Sequence, residues 1–217
     1  MFFHFLLNAF PYQTITVSFH HKGHQFKVLM RPIQKRDRKF LDLTYGNADA
    51  MKTYMNGTVR SQEEISRRFA RYVKWTRDKN VPWVHMLAFV ISAPQSTGLK
   101  KGDFIGEFMI EPDDRNGEHF AELSYVLRPA VWGKGFGTHC AKSLLDLTIP
   151  HLKAFKMPRI EATARADNLG SVKILEKNGF RLEKTIASVH SAEIERNSAP
   201  LDRLLYVRQF TSSKIAQ

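Results

Sequence analysis

At 217 residues, 43% hydrophobic and 25% charged, the chain has the composition of one ordinary globular domain with room for a sizeable core. Its single cysteine excludes an internal disulfide framework and fits a reducing compartment. Lys and Arg total 33 against 21 Asp and Glu, a formal charge of +12, which disfavours a polycationic substrate and suits an anionic partner.

The stretch from Met1 to Phe10 is apolar but has no basic n-region, and it is far shorter than the ~18 residues that cross a bilayer. Residues 1–25 are therefore expected to form an arm or an extra strand. A single domain follows over 26–210, with 211–217 as a tail, no membrane segment and a cytoplasmic location. Side-chain alternation predicts a strand over 26–31, then helices near 35–45 and 62–79. The second of these carries Arg67, Arg68, Arg71, Lys74, Arg77 and Lys79 on one face. Such a face is either simply solvated or turned to an anionic partner such as ribosomal RNA.

Strands are expected over 83–91, 103–111 and 118–128, with 113–117 as a hairpin turn and 98–102 and 196–200 as exposed turns. A helix over 135–149, a strand over 158–165, a helix over 168–178 and strands over 180–189 and 202–210 complete the order. Cys140 falls inside the third of the four predicted helices and reads as a small core residue, since nothing near it marks it as activated. His20, His21 and His24 lack cysteine or carboxylate partners at ligand spacing, so no metal is expected.

The most informative motif joins the strand over 118–128 to the helix that follows. Trp132-Gly133-Lys134-Gly135-Phe136-Gly137-Thr138 puts three glycines in five residues. Glycines let backbone approach an oxyanion, and the free N–H groups of a helix start point at it. The spacing is neither that of a nucleoside-triphosphate loop nor that of a dinucleotide fingerprint. About 30 residues on, Asn168-Leu169-Gly170-Ser171-Val172-Lys173-Ile174-Leu175-Glu176-Lys177-Asn178-Gly179-Phe180 reads as a short helix. Asp167 or Asn168 caps it, Val172 and Leu175 face inward, and Asn178-Gly179 ends it.

With these two motifs in this order, the chain resembles the GNAT superfamily of acetyl-CoA-dependent N-acetyltransferases. The first matches the superfamily's pyrophosphate loop, with Trp132 where many members have Gln or Arg. The second matches its Asn-x-x-Ser helix. Leu29-Met30-Arg31-Pro32 followed by Arg36-Asp37 resembles the branch that acetylates the amino termini of ribosomal proteins. The resemblance implies an α/β fold: a mostly antiparallel mixed sheet of about seven strands, helices on both faces, and a splay between the parallel strands over 118–128 and 158–165.

By resemblance, Trp132, Gly133, Lys134, Gly135, Phe136, Gly137 and Thr138 hold the pyrophosphate of acetyl-CoA. Backbone groups of Tyr125, Val126 and Leu127 pair with the pantetheine arm, and an amide at Val126 or Leu127 polarises the thioester carbonyl. Asn168 bonds the pantetheine or caps its helix. Ser171 is the candidate acid at the thiol sulfur, because Leu175 stands where many members have tyrosine. Glu122 reads as a base, as an anchor for the incoming ammonium, or as a surface glutamate on a strand. His190 is a second candidate base, in about the place where the ribosomal-protein branch tends to have glutamate.

Acceptor chemistry follows from pKa values. At pH 7, deprotonating an α-amino group costs ~1 kcal/mol and a lysine ~4.6 kcal/mol, so a site with a weak base suits a protein or peptide amino terminus. Two other readings stand beside it: a small-molecule amine such as an antibiotic or amino-acid derivative, and a non-catalytic RNA- or ribosome-binding module. A monomer or a homodimer is expected.

Overall fold

The structure, a computed structural model, describes residues 13–55, 57–76, 83–115, 117–187 and 202–210. The described chain runs β1 (Ile15–His21), β2 (His24–Pro32), α1 (Arg38–Tyr45), α2 (Ala48–Met51), α3 (Gln62–Trp75), β3 (Val84–Ser92), β4 (Phe104–Arg115), β5 (Glu118–Leu127), α4 (Phe136–Ala154), β6 (Arg159–Arg165), α5 (Leu169–Lys177), β7 (Arg181–Ile186) and β8 (Arg203–Gln209). The strands form one sheet in the order β1-β2-β3-β4-β5-β6-β8-β7. Every pairing is antiparallel except β5 with β6.

This is the expected mixed α/β architecture with one strand more. The additional strand is β1, which pairs with β2 from Ile15↔Met30 to His21↔His24. Its alternation of buried Val17 and Phe19 with exposed neighbours is the period of a half-buried edge strand. β3 is buried along most of its length, as a strand covered on both faces must be. Two apolar layers result. One joins α4 and α5 to the sheet through residues such as Cys140, Leu144, Leu145 and Leu175. The other sets Leu41, Tyr45, Ile65 and Tyr72 against Leu87, Met109 and Val126.

Local chemistry fixes the helix starts. Asp37, nearly fully buried, accepts two hydrogen bonds from the Arg31 guanidinium at 2.6 and 2.8 Å, tying the end of β2 to the entry of α1. Ser61 and Glu64 form a reciprocal capping box at α3, with Glu64 N–H donating to Ser61 Oγ at 3.2 Å and Ser61 N–H to Glu64 Oε2 at 2.9 Å.

Several boundaries move from those expected. The first helix begins at Arg38 rather than near 35, and α2 was not anticipated; Asn47 caps it by accepting from Ala50 N–H. α4 runs through Pro150 to Ala154 instead of stopping at 149. One lost N–H costs a helix locally, and the burial of Leu152 two residues further on keeps the final turn packed. No described helix is long and apolar enough to cross a membrane.

Candidate active site

β5 and β6 pair only at Ala121↔Ile160 and Glu122↔Glu161. Beyond Glu122 the β6-facing edge of β5 has no strand partner among the described residues, and two cavities open along it. The larger, about 550 Å³, is a groove lined by Tyr125, Val126, Leu127, Trp132, Gly133, Gly135, Phe136, Gly137, Thr138, Asn168 and Ser171, among others. The smaller, about 290 Å³, lies towards α3 and includes Glu111, Glu122, Arg68, Arg71 and Arg203. Thr53, Tyr54, Tyr125, Asn168 and Ser171 line both. The two cavities therefore meet at the splay, around the hydroxyls of Tyr125 and Ser171.

The glycine turn is built for a backbone cradle. Gly133 and Gly135 adopt φ of +69° and +85°, a region that costs an L-residue strain. A Cβ at Gly135 would also sit 3.2 Å from His21 Nδ1 and 3.3 Å from the Phe19 ring, and one at Gly137 would meet Ile174 Cδ1 of α5. α4 starts at Phe136, so the N–H groups of Phe136, Gly137 and Thr138 have no intrahelical acceptor. His139 N–H is the first to find one, Gly135 O at 3.2 Å. Lys173 and Lys177 line the same groove. A cradle of backbone donors with nearby cations, continued by an unpaired strand edge, fits a diphosphate joined to a long amide-bearing arm such as that of coenzyme A.

Trp132 contributes more than backbone: its indole N–H donates to Leu127 O at 3.1 Å and pins the loop to the end of β5. Lys134 turns away and donates to Ala130 O at 2.9 Å. The tip of the β1–β2 hairpin also reaches the loop, where His21 Nε2 lies 3.0 Å from Gly133 O.

Asn168 caps α5, its Oδ1 accepting from Ser171 N–H at 3.0 Å while its Nδ2 donates to Thr53 O at 3.2 Å. Ser171 Oγ lies 2.8 Å from the Tyr125 hydroxyl. Burial pushes the Tyr125 phenol above its ordinary pKa, partly offset by the bond to Ser171, so it stays protonated as a donor. Tyr125 entered the sequence reading through its backbone alone, and its hydroxyl, which sits beside Ser171 Oγ at the junction of the two cavities, was missed.

Glu122 stands in a row of three carboxylates. The ladder places Glu111 of β4 directly opposite it, and Glu161 of β6 on the other side. Glu161 is neutralised by Arg115 at 3.1 Å and Arg159 at 2.8 Å. Glu111 has no cation within ion-pair distance among the described residues; burial, then the Glu122 charge, push its carboxyl up to about 7. Glu122 is raised too, by burial, then by Asp113 and Glu161. Two facing carboxyls that cannot both ionise cheaply make a proton acceptor near neutral pH. Glu111 was also missed: the turn expected over 113–117 would set it across from His119, but β4 runs on to Arg115, which pairs with Glu118 and so brings Glu111 opposite Glu122.

His190 lies outside the described residues. Cys140 is fully buried, which raises its thiol pKa, so it is packing rather than chemistry. Among the described residues no three His, Cys, Asp or Glu side chains gather as metal ligands.

A phosphate cradle, a strand edge left open by a splay, and a second cavity meeting it at paired hydroxyls define an acyltransferase. The chain matches the Acetyltransferase (GNAT) domain family over residues 27–181 and belongs to that family. It is 24% identical over 161 residues to the uncharacterized protein YkkB of Bacillus subtilis, covering 74% of this chain and 85% of that one. Its fold superposes with a TM-score of 0.60 on ribosomal-protein-S5-alanine acetyltransferase from Vibrio fischeri, 20% identical, covering 89% of this chain and 96% of that one. The corresponding figures for spermidine N-acetyltransferase from Vibrio cholerae, solved with CoA and spermine, are 0.61, 15%, 84% and 95%.

Proposed function

We propose that the protein acetylates the α-amino group of a protein or peptide, using acetyl-CoA bound in the larger groove. The observation that carries this is the junction: a cofactor-sized groove and a smaller cavity bearing two raised carboxyls meet at the Tyr125 and Ser171 hydroxyls. Acetyl-CoA supplies the thioester carbonyl that an amine attacks. Gly133, Gly135, Phe136, Gly137 and Thr138 hold the diphosphate through backbone N–H groups, and the β5 edge from Tyr125 to Leu127 aligns the arm.

The Glu111–Glu122 pair takes the proton of the incoming ammonium. A carboxyl near 7 is well matched to an α-amine of pKa ~7.8 and poorly to a lysine of ~10.4. At the other side of the junction the Tyr125 hydroxyl, relayed by Ser171 Oγ, supplies a proton to the departing thiolate. A small-molecule amine is the second reading, favoured by the cavity volume of about 290 Å³. The homology of fold to enzymes named for ribosomal protein and for spermidine is compatible with either.

Calorimetric titration with acetyl-CoA, wild type beside Gly135→Glu, tests the groove, and a thiol-release assay over a panel of amines tests the acceptor. The reading expects micromolar binding lost in the variant and faster turnover of peptide amino termini than of lysine side chains. Equal rates on both amines refute it.

A further inference from the structure

The smaller cavity carries both signs of charge without pairing them. Arg68, Arg71 and Arg203 line it together with Glu111 and Glu122. Among the described residues none of these three guanidiniums has a carboxylate within 4.0 Å, whereas Arg115, Arg159 and Arg165 all do. Arg68 and Arg71 are positioned by aromatic contacts instead. Arg68 lies over the Tyr45 ring at 5.3 Å and donates to the Tyr72 hydroxyl at 3.3 Å. Arg71 lies over the Trp75 ring at 5.0 Å and the Tyr72 ring at 5.7 Å. Stacking fixes a guanidinium plane while leaving edge N–H donors free for a carboxylate.

Were these arginines there to neutralise the glutamates, Glu111 would be held below the ordinary carboxylate range. It is raised instead, with Arg71 and Arg68 only opposing the larger effects of burial and Glu122. The cavity thus presents an anionic floor for an ammonium and free guanidiniums for an anion, and its volume of about 290 Å³ accommodates one or two residues.

We propose that the acceptor is an amine bearing a carboxylate a few bonds from the reacting nitrogen, with the ammonium received by Glu111 and Glu122 and the carboxylate by Arg68, Arg71 and Arg203. This rests on reading the smaller cavity as the acceptor site. The carboxylate comes either from an acidic side chain that follows a peptide amino terminus or from the α-carboxylate of a free amino acid. Part of the basic face of α3 is thereby assigned to the acceptor rather than to RNA.

The test compares kcat/KM for Ala-Asp-Ala-amide, Ala-Asn-Ala-amide and Ala-Lys-Ala-amide, with free alanine, free glutamate and spermidine beside them. A charge-assisted pair with arginine predicts at least a ~10-fold preference for the aspartyl over the asparaginyl peptide, expressed mainly in KM. Arg71→Gln or Arg203→Gln, or both, bring that ratio towards unity, and a ratio unchanged in both variants overturns the inference. Arg67→Gln, which changes the same helix outside the cavity and loses only an exposed pair with Glu63 at 3.9 Å, keeps the ratio. Turnover of the free amino acids without turnover of any peptide upholds the carboxylate and refutes the peptide acceptor. Equal use of aspartyl and asparaginyl peptides, with the α-amine still acetylated, overturns the inference and leaves the proposed function standing. Preference for the lysyl peptide or spermidine, or no turnover of any carboxylate-bearing amine, also overturns it.

Discussion

Replacing Glu111 by Gln separates the charge of this carboxyl from its shape. The folded protein holds Glu111 at about 7 because of burial and the Glu122 charge, against ~4.3 for an unstructured chain. A folded pKa above the unfolded one means that stability is fully present below the unfolded value and is lost as pH rises through the folded value. Between pH 5 and 7 the wild type loses up to ~1.4 kcal/mol per unit from this group, or ~2.7 kcal/mol in all. Glu111 keeps some solvent contact, so screening brings the expected figure to ~1–2 kcal/mol. The glutamine variant has no such charge to bury. Urea unfolding at pH 5, 6, 7 and 8 is therefore expected to show the variant close to wild type at pH 5 and more stable by ~1–2 kcal/mol at pH 8, while its acetyltransferase activity falls. A difference that does not vary with pH, or a variant that becomes relatively less stable above pH 7, would mean that Arg68 and Arg71 hold Glu111 ionised. The paired-carboxyl account of the base would then fail.

Tyr125→Phe removes the hydroxyl 2.8 Å from Ser171 Oγ and should lower kcat by ~10²-fold or more with little change in acetyl-CoA affinity, measured by thiol release and calorimetry. Ser171→Ala should cost a similar amount, and the double variant little more, since the two hydroxyls act as one unit. Gly137→Ala drives a methyl into Ile174 and against Leu127 Cδ1 at 3.0 Å; overpacking of this kind costs ~1–3 kcal/mol, read as a lower urea midpoint together with weaker acetyl-CoA binding. Glu107→Leu strands His85, its fully buried partner at 2.8 Å, and breaks the bond from Thr44 Oγ1 at 3.1 Å. Unfolding measurements should show a loss of ~3 kcal/mol or more.

The cradle and the cap of α5 were legible because their signals are local: glycines ahead of a helical period, and Asn168 three residues before the N–H it caps. The splay came through the family resemblance, and the β5–β6 register shows it beginning beyond Glu122. What the sequence hid was largely across strands. The Glu111–Glu122 pair was hidden by the turn expected over 113–117, since β4 instead extends to Arg115 and the Arg115↔Glu118 register sets Glu111 opposite Glu122; nothing along either strand alone marks it. The Tyr125–Ser171 hydrogen bond joins residues 46 apart and has no local signature. α2 is four residues long, below the length at which helical period shows. The basic face of α3 was visible as a stripe, yet only packing against the aromatic rings of Tyr45, Tyr72 and Trp75 separates the arginines that face the cavity from Arg67, which does not.

The most direct measurement offers the enzyme one peptide carrying both a free α-amine and a lysine, with acetyl-CoA at pH 7, and maps the acetylated nitrogen by tandem mass spectrometry. The account predicts acetyl on the amino terminus, and none of that product when Gly135→Glu replaces the wild type. Acetyl on the lysine side chain, or an undiminished product with the cradle destroyed, would contradict it.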